Sequence, residues 1–414
     1  MRCDVAVIGA GAAGIAAAVA AGEAGANVVL VERHGFTGGL ATAALVGTIC
    51  GLFYRHPTTA RYAVQGFARE FADAVQTASQ SQVATFGEGL HFLPYRPSAF
   101  HHVAVRRLQQ AGVRIVLQGY VSGVCLSQKR VGELRIQTPA QILSLYPAAV
   151  VDCSGGAQIS LLAGLDRIRQ AHYQAGALVF QVSGLPEIAP DALSLALIRG
   201  LKRGIQSGCL DPYCDRLSII PGSNAQGQTL LKLGMPVPFD GSIGCLSQYE
   251  LEARERSSNI VDYLSRNEPS LVNLRITAMA AEVGIRTNER SQGLALLDEN
   301  HVLACRKPDT GVAIGAWPIE YWGEDRKPTL RYFPIDDAYW ITAKMLVSCH
   351  LDNLFFAGRG LSATEAAIAS ARVIGTCLST GYAAGGLAAE FSATGGWQTA
   401  VNNIRHRQIM AKNL

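Results

Sequence analysis

Residues Val5 to Gly14 read VAVIGAGAAG, and Glu32 follows eighteen residues after Gly14. A short apolar run that breaks into three glycines at this spacing constrains the fold more than any other stretch of the chain. Gly9 permits a tight strand-to-helix turn, Gly11 lets backbone approach a pyrophosphate, and Gly14 lets the following helix lie close to the sheet. That helix, rich in small residues from Ile15 to Gly22, aims its N-terminal N–H groups and positive dipole end at the phosphates. A second apolar run, Val28 to Val31, ends on Glu32, which can accept hydrogen bonds from a ribose 2′- and 3′-OH. The fingerprint sits in a complete βαβ context, so the expectation is an α/β protein with an N-terminal site for an adenine dinucleotide.

The chain has 414 residues, 49% of them hydrophobic and 16% charged, which suits two domains with sizeable cores. A net charge of +4 with no basic stripe argues against nucleic acid. Arg405, His406, Arg407 and Lys412 read as a solvated tail. Ten cysteines are scattered from Cys3 to Cys377 without a CxxC pair. That argues against a dithiol centre, a zinc ribbon and a cysteine-ligated iron–sulfur cluster, and favours free thiols in a reducing cytoplasm. The histidines show no metal-ligand spacing. Val5–Val31 is apolar enough to suggest a membrane segment, but Asp4, Glu23 and the glycines oppose that, leaving the membrane without a role.

Helices are expected at about 64–78 and 98–111, from apolar residues three and four apart. Strands are expected at 113–117, 121–126, 133–136 and 148–152, the last closing on Ser154-Gly155-Gly156. From about 165 to 335 the chain becomes more polar, proline-rich and aromatic. The Gly-Ala character returns at Asn353–Arg359, with a long small-residue helix predicted from Ser362 to Ser379. The dinucleotide-binding domain is therefore expected to be discontinuous.

Several separated motifs line up with one family. They are the fingerprint with Glu32, the Thr37-Gly38-Gly39 loop, Val151-Asp152-Cys153-Ser154-Gly155, Val283-Gly284-Ile285-Arg286 with Arg290 and Gly293, and Ala357-Gly358-Arg359-Gly360-Leu361-Ser362-Ala363-Thr364 running on to Arg372, Cys377 and Gly385. Together they resemble FAD-dependent oxidoreductases of the glutathione-reductase-like class, in the branch with a C-terminal AGR-x-x-SAT block. The resemblance implies a Rossmann-like FAD-binding domain, a parallel sheet with a β-meander, formed by residues 1–165 and 336–414. An inserted α+β substrate domain would span 166–335. It also implies that FAD is held by Gly9, Gly11, Ala12, Ala13 and Gly14, by Glu32 and Arg33, and by the loop of Gly38, Gly39, Leu40 and Thr42. Val121 would flank the adenine, and Ser154, Gly155, Gly358 and Arg359 would border the rest. Ser362 and Ala366 would begin a helix aimed at the flavin. The apolar–Pro–Tyr turn usual before the family's final strand is replaced by Tyr339-Trp340-Ile341-Thr342.

Without a second GxGxxG unit or a CxxC pair, the expected chemistry is direct two-electron exchange between flavin and a small molecule, carboxylate-bearing if arginines clamp it. Arg286 and Arg290, four apart, are the candidate clamp. Tyr332, Tyr339 and Trp340 are candidates for an aromatic wall, with Tyr339 in a catalytic role. His101-His102, opening a helix, is expected at the surface or beside the pyrophosphate. Cys50 follows the Gly38-Gly39 loop and is expected near the flavin. A flavin-dependent monooxygenase or halogenase-like reaction is the alternative. A third reading is an FAD-bearing subunit that works with a redox partner protein; a homo-oligomer is compatible with each.

Overall fold

A computed structural model describes residues 1–170, 173–186, 190–235, 240–323 and 327–410. The opening apolar run forms β1 (Arg2–Ile8), followed by α1 (Ala12–Glu23) and β2 (Val28–Val31). Val5 to Ile8 pair in parallel with Val28 to Val31, so the first unit is the expected βαβ. The strand β3 (Arg114–Val116) extends the sheet beyond β2, again in parallel. Next come β4 (Tyr120–Ser127), β5 (Arg130–Gln137) and β6 (Ile142–Asp152), an antiparallel meander. The long β6 serves two purposes: Ile142–Leu145 close the meander, while Tyr146–Asp152 run parallel to β1. The strand Leu354–Phe356 adds in parallel against Val150–Asp152. Among the described residues the order is β3-β2-β1-β6-β5-β4, with Leu354–Phe356 off β6. Central parallel strands are covered on both faces, which is why Val5, Val7, Leu30, Ala149 and Val151 form near-continuous apolar runs buried to 2% exposure or less. The parallel strands Ile8, Val31, Asp152 and Phe356 end along one edge, where such sheets bind ligands.

A second, antiparallel sheet comprises β7 (Ala177–Ser183), β8 (Leu217–Ile219), β9 (Gln228–Gly234) and β10 (Arg275–Met279), in the order β8-β9-β7-β10. One face carries Phe180, Val182, Leu231 and Leu233 onto the helices Pro190–Gln206 and α2 (Ile243–Asn267). This core spans only Phe180 to Leu274 in sequence. By contrast Leu297, Val302, Val312, Ile314, Ile319 and Phe333 share the core of α1 and the parallel sheet. The latter part of the polar stretch that was expected to belong wholly to an inserted domain therefore packs on the nucleotide-binding side, because its buried residues are apolar and meet the C-terminal helices.

The predicted helix at Ser362–Ser379 is two helices, α3 (Glu365–Ala371) and α4 (Ile374–Thr394). The break falls at Arg372-Val373, where Val373 turns extended (φ −69°, ψ 154°) and the Gly375 N–H is given to Cys50 O at 2.9 Å. Beyond the break, α4 lies on α1, with Gly381 against Ala13 O and Gly385 against Ala17 O. The C-terminus is not a solvated tail. Arg405 bonds to Asp309 and stacks over Trp340, while Arg407 pairs with Glu23 at 3.2 Å and stacks over Tyr382. Lys412 lies outside the described residues. Among the described residues no helix is long and apolar enough to cross a membrane.

Candidate functional site

The C-terminal edge of the parallel sheet opens into two adjoining cavities of about 290 Å³ and about 320 Å³. Both are bordered by Gly9, Glu32, Arg33, Leu40, Ser154, Gly155 and Arg359, so they form one continuous cleft. Only one end contains Gly119, Val121 and Gln158; only the other contains Thr48, Cys50, Lys232, Arg286 and Arg372.

The middle of the cleft is built from backbone. Gly9 has φ +96°, and a Cβ there would stand 2.6 Å from Cys153 O. Gly38 N bonds to Ala10 O at 2.8 Å, and a Cβ on Gly39 would stand 2.8 Å from Gly11 Cα. Glycine alone lets these two loops lie edge to edge with no side chain filling the seam between them. Gly14 works one turn further on by letting α1 sit close on Gly9 and Cys153. Thr42 does not line the cleft; its hydroxyl donates to Thr37 O at 2.9 Å and fastens the loop. His101 holds the same loop through Thr37 Oγ1 at 3.1 Å.

Carboxylates fix the neighbouring turns. Buried Glu32 accepts Ala10 N at 2.6 Å on one oxygen and His34 N at 2.9 Å on the other. Asp152, at the end of β6, accepts Ser154 N at 2.9 Å, Ser154 Oγ at 2.6 Å and Ile159 N at 2.8 Å. Burial raises the Asp152 carboxyl above the usual range, and those donors oppose the rise. Arg359 reaches across the cleft from Gly155 to Ile285 O, which it meets at 2.6 Å. At the mouth Arg33 pairs with Glu282 at 2.5 Å.

The far end holds a charge cluster that composition did not announce. Lys232 comes from β9, Glu320 from the strand Ile319–Tyr321, Arg286 from the segment after β10, and Arg372 from the break between α3 and α4. Glu320 accepts the indole N–H of Trp322 on one oxygen and that of Trp317 on the other, each at 3.0 Å. Arg372 donates to Glu320 O at 3.2 Å and lies 3.5 Å from its carboxylate, yet its Nε is buried without a partner. Arg286 bonds to Ala175 O and lies 4.3 Å from the centre of the Trp322 ring. Lys232 Nζ lies 4.9 Å from that ring, and among the described residues it has no hydrogen bond or ion pair. Burial pushes the Lys232 ammonium down to about 8 and the Arg286 guanidinium down to about 9. It pushes the Cys50 thiol up to about 12, so Cys50 lines the cleft as a neutral thiol.

The other expected residues lie elsewhere. Arg290 is 1% exposed and spends its guanidinium on Ala363 O, Asn288 O and Gln170 Oε1. It lines neither cavity, so the Arg286–Arg290 clamp does not form. Tyr339 is fully buried and shares a 2.7 Å hydrogen bond with Ser370 Oγ, which places it in the core rather than the cleft. Tyr332 lies under Arg55 and Trp340 under Arg405, so among the described residues Trp322 gives the Lys232 end of the cleft its indole face. Ser362 and Ala366 also stand back; the helix end beside the cleft is that of α4, through Val373, Ile374 and Cys377. Lys232 carried one legible signal, a lone charge in the apolar strand TLLKLG.

The residues fit a bound dinucleotide. The seam between the two glycine loops has no side chain to fill it, and an anchored carboxylate stands where a ribose would lie. The family described as "FAD dependent oxidoreductase" matches residues 4–411. No curated protein matches the sequence. Among solved structures, a flavin-dependent brominase aligns with a TM-score of 0.50 and 13% identity, over 98% of this chain and 83% of its own. A geranylgeranyl bacteriochlorophyll reductase-like protein from Thermoplasma acidophilum aligns at 0.49 and 14%, over 99% and 84%. At its identity the likeness to the brominase is one of fold.

Proposed function

The chain belongs to the family of FAD-dependent oxidoreductases, and from that premise we propose that it transfers a hydride between FAD and a small molecule bound at the Lys232 end of the cleft. The observation that carries this reading is the cleft's continuity, from nucleotide-binding glycines to a buried charge cluster to which the second sheet gives Lys232. We further propose that it belongs to the glutathione-reductase-like class, in the branch with a C-terminal AGR-x-x-SAT block. Residues 1–165 and 336–414 would hold the cofactor, and the unit centred on β7–β10 would hold the substrate.

Val121 and Gln158 would border the adenine, and Glu32 would take the ribose hydroxyls. Gly11, Gly39 and Gly358 would receive the phosphates. The part of the cleft by Thr48, Cys50 and Val373 remains for the flavin ring. FAD supplies the two-electron chemistry. The chain's own residues position the substrate and hold charge: Trp322 gives it a flat apolar face, and Glu320, locked by two indoles, sets the positions of Trp322 and Arg372. Burial of the cluster between two sheets keeps bulk water from the reacting end.

The cofactor assignment is tested by Glu32→Ala combined with Gly11→Val, which is expected to purify without flavin; stoichiometric flavin in that variant contradicts the site. The reaction is tested by anaerobic absorbance of the flavin-loaded protein with NADH, NADPH and a panel of small organic acids, followed by air. Bleaching by an organic donor, or recovery of a reduced sample by an organic acceptor, is the expected result. Reduction by a nicotinamide with reoxidation only in air points instead to the monooxygenase-like alternative. A flavin that dithionite bleaches but no small molecule does contradicts the proposal and favours a redox-partner subunit.

A further inference from the structure

We propose that Lys232, Arg286 and Arg372 form a receptor for the carboxylate of the substrate, whose apolar body lies against Trp322, Val46 and Val179. The inference rests on the proposed function only in calling the occupant a substrate; the site itself stands on its own geometry.

Among the described residues three cations meet one carboxylate in this end of the cleft, and that carboxylate is already engaged. Both Glu320 oxygens receive indole N–H groups, and of the three cations Arg372 is the one that reaches it. An internal ion-pair network would leave no such imbalance. Burying a charge without a partner is costly, and a protein that does so at a cavity wall has an anion to receive there. Two atoms mark where it would sit. Lys232 Nζ has three N–H donors and no hydrogen bond or ion pair among the described residues, and lies 4.9 Å from the centre of the Trp322 ring. Arg372 Nε is buried and unpartnered.

The phosphates of the cofactor have their own seat in the glycine cradle, of which Gly9 and Gly155 border both cavities, whereas Lys232, Arg286 and Arg372 border only the one opposite Val121. The lining does not suit a small inorganic ion. Val46, Ala177, Val179, Val373 and Ile374 surround the charged wall with hydrocarbon. A carboxylate on an apolar or aromatic body satisfies both surfaces, with guanidinium forks for the oxygens and an indole for the body.

The test measures binding of benzoate and of its neutral isostere benzamide to the flavin-loaded protein by isothermal titration calorimetry. Benzoate is expected to bind at least about tenfold more tightly than benzamide. Lys232→Met is expected to weaken benzoate by at least about tenfold and benzamide little, with the flavin-to-protein ratio unchanged; Lys232→Arg should retain the preference. Equal binding of the two compounds, no benzoate binding, or an unchanged benzoate affinity in Lys232→Met overturns the proposal. Should Lys232→Met fail to fold, the comparison on the unaltered protein and on Arg372→Met decides. Benzoate binding with a flavin that no small molecule reduces would keep the site and remove the proposed function; the reverse pattern would keep the function and remove the site.

Discussion

Lys232 shows how a single side chain can trade stability for a site. Its ammonium is pushed from 10.5 down to about 8 by burial, so folding disfavours its charged form. Below pH 8 both folded and unfolded chains carry the proton and the penalty is full. Between about 8 and 10.5 the unfolded chain holds a proton that the folded chain has released, and stability rises with pH. Lys232→Met is therefore expected to be more stable than the parent at pH 7, by about 3 kcal/mol for a shift of this size, with the advantage fading by pH 10.5; denaturant melts at several pH values measure it. Arg290 is the opposite case. It satisfies three acceptors in the core, so Arg290→Met is expected to lose about 3 kcal/mol or more in a urea melt. Spacing in sequence suggested Arg286 and Arg290 as partners because four residues make one helical turn. The segment is not helical there, and the two arginines part: one into the core, one into the cleft.

At the scale of elements, the packing of α4 on α1 sets the cleft's geometry. Gly381 and Gly385 face Ala13 and Ala17, pairs with the same four-residue step, so the two backbones touch along one stripe. Because α1 begins at the glycine turn and α4 begins beside Cys50, this contact holds both helix starts at the cleft. Gly385→Val is expected to cost about 3 kcal/mol through overpacking and to release flavin at a lower temperature than the parent, as read by flavin fluorescence on heating. The glycines of α4 were visible in the sequence as a run of small residues, but the break at Arg372-Val373 was not. It arises from a contact made more than three hundred residues away, where Gly375 meets the Cys50–Gly51 backbone. Local motifs such as Gly9-x-Gly11 and Asp152-x-Ser154 were legible because the turns they form lie within a few residues of chain. The charge cluster was hidden because it joins four separate segments.

For the whole molecule, two sheets enclose one long cleft: the parallel sheet supplies backbone amides and anchored carboxylates, and the antiparallel sheet supplies Lys232. The paired Arg33 and Glu282 at the mouth link them. On the proposed reading each end of the cleft has a different task, with the adenine at Val121 and the reacting end at the cations. A crystal structure of the protein with FAD bound tests that assignment most directly. The account predicts adenine density beside Val121 and Gln158, with the flavin ring between Cys50 and the Lys232 cluster. A cofactor lying the other way round, or one whose phosphates rather than its ring meet Lys232, Arg286 and Arg372, would contradict it.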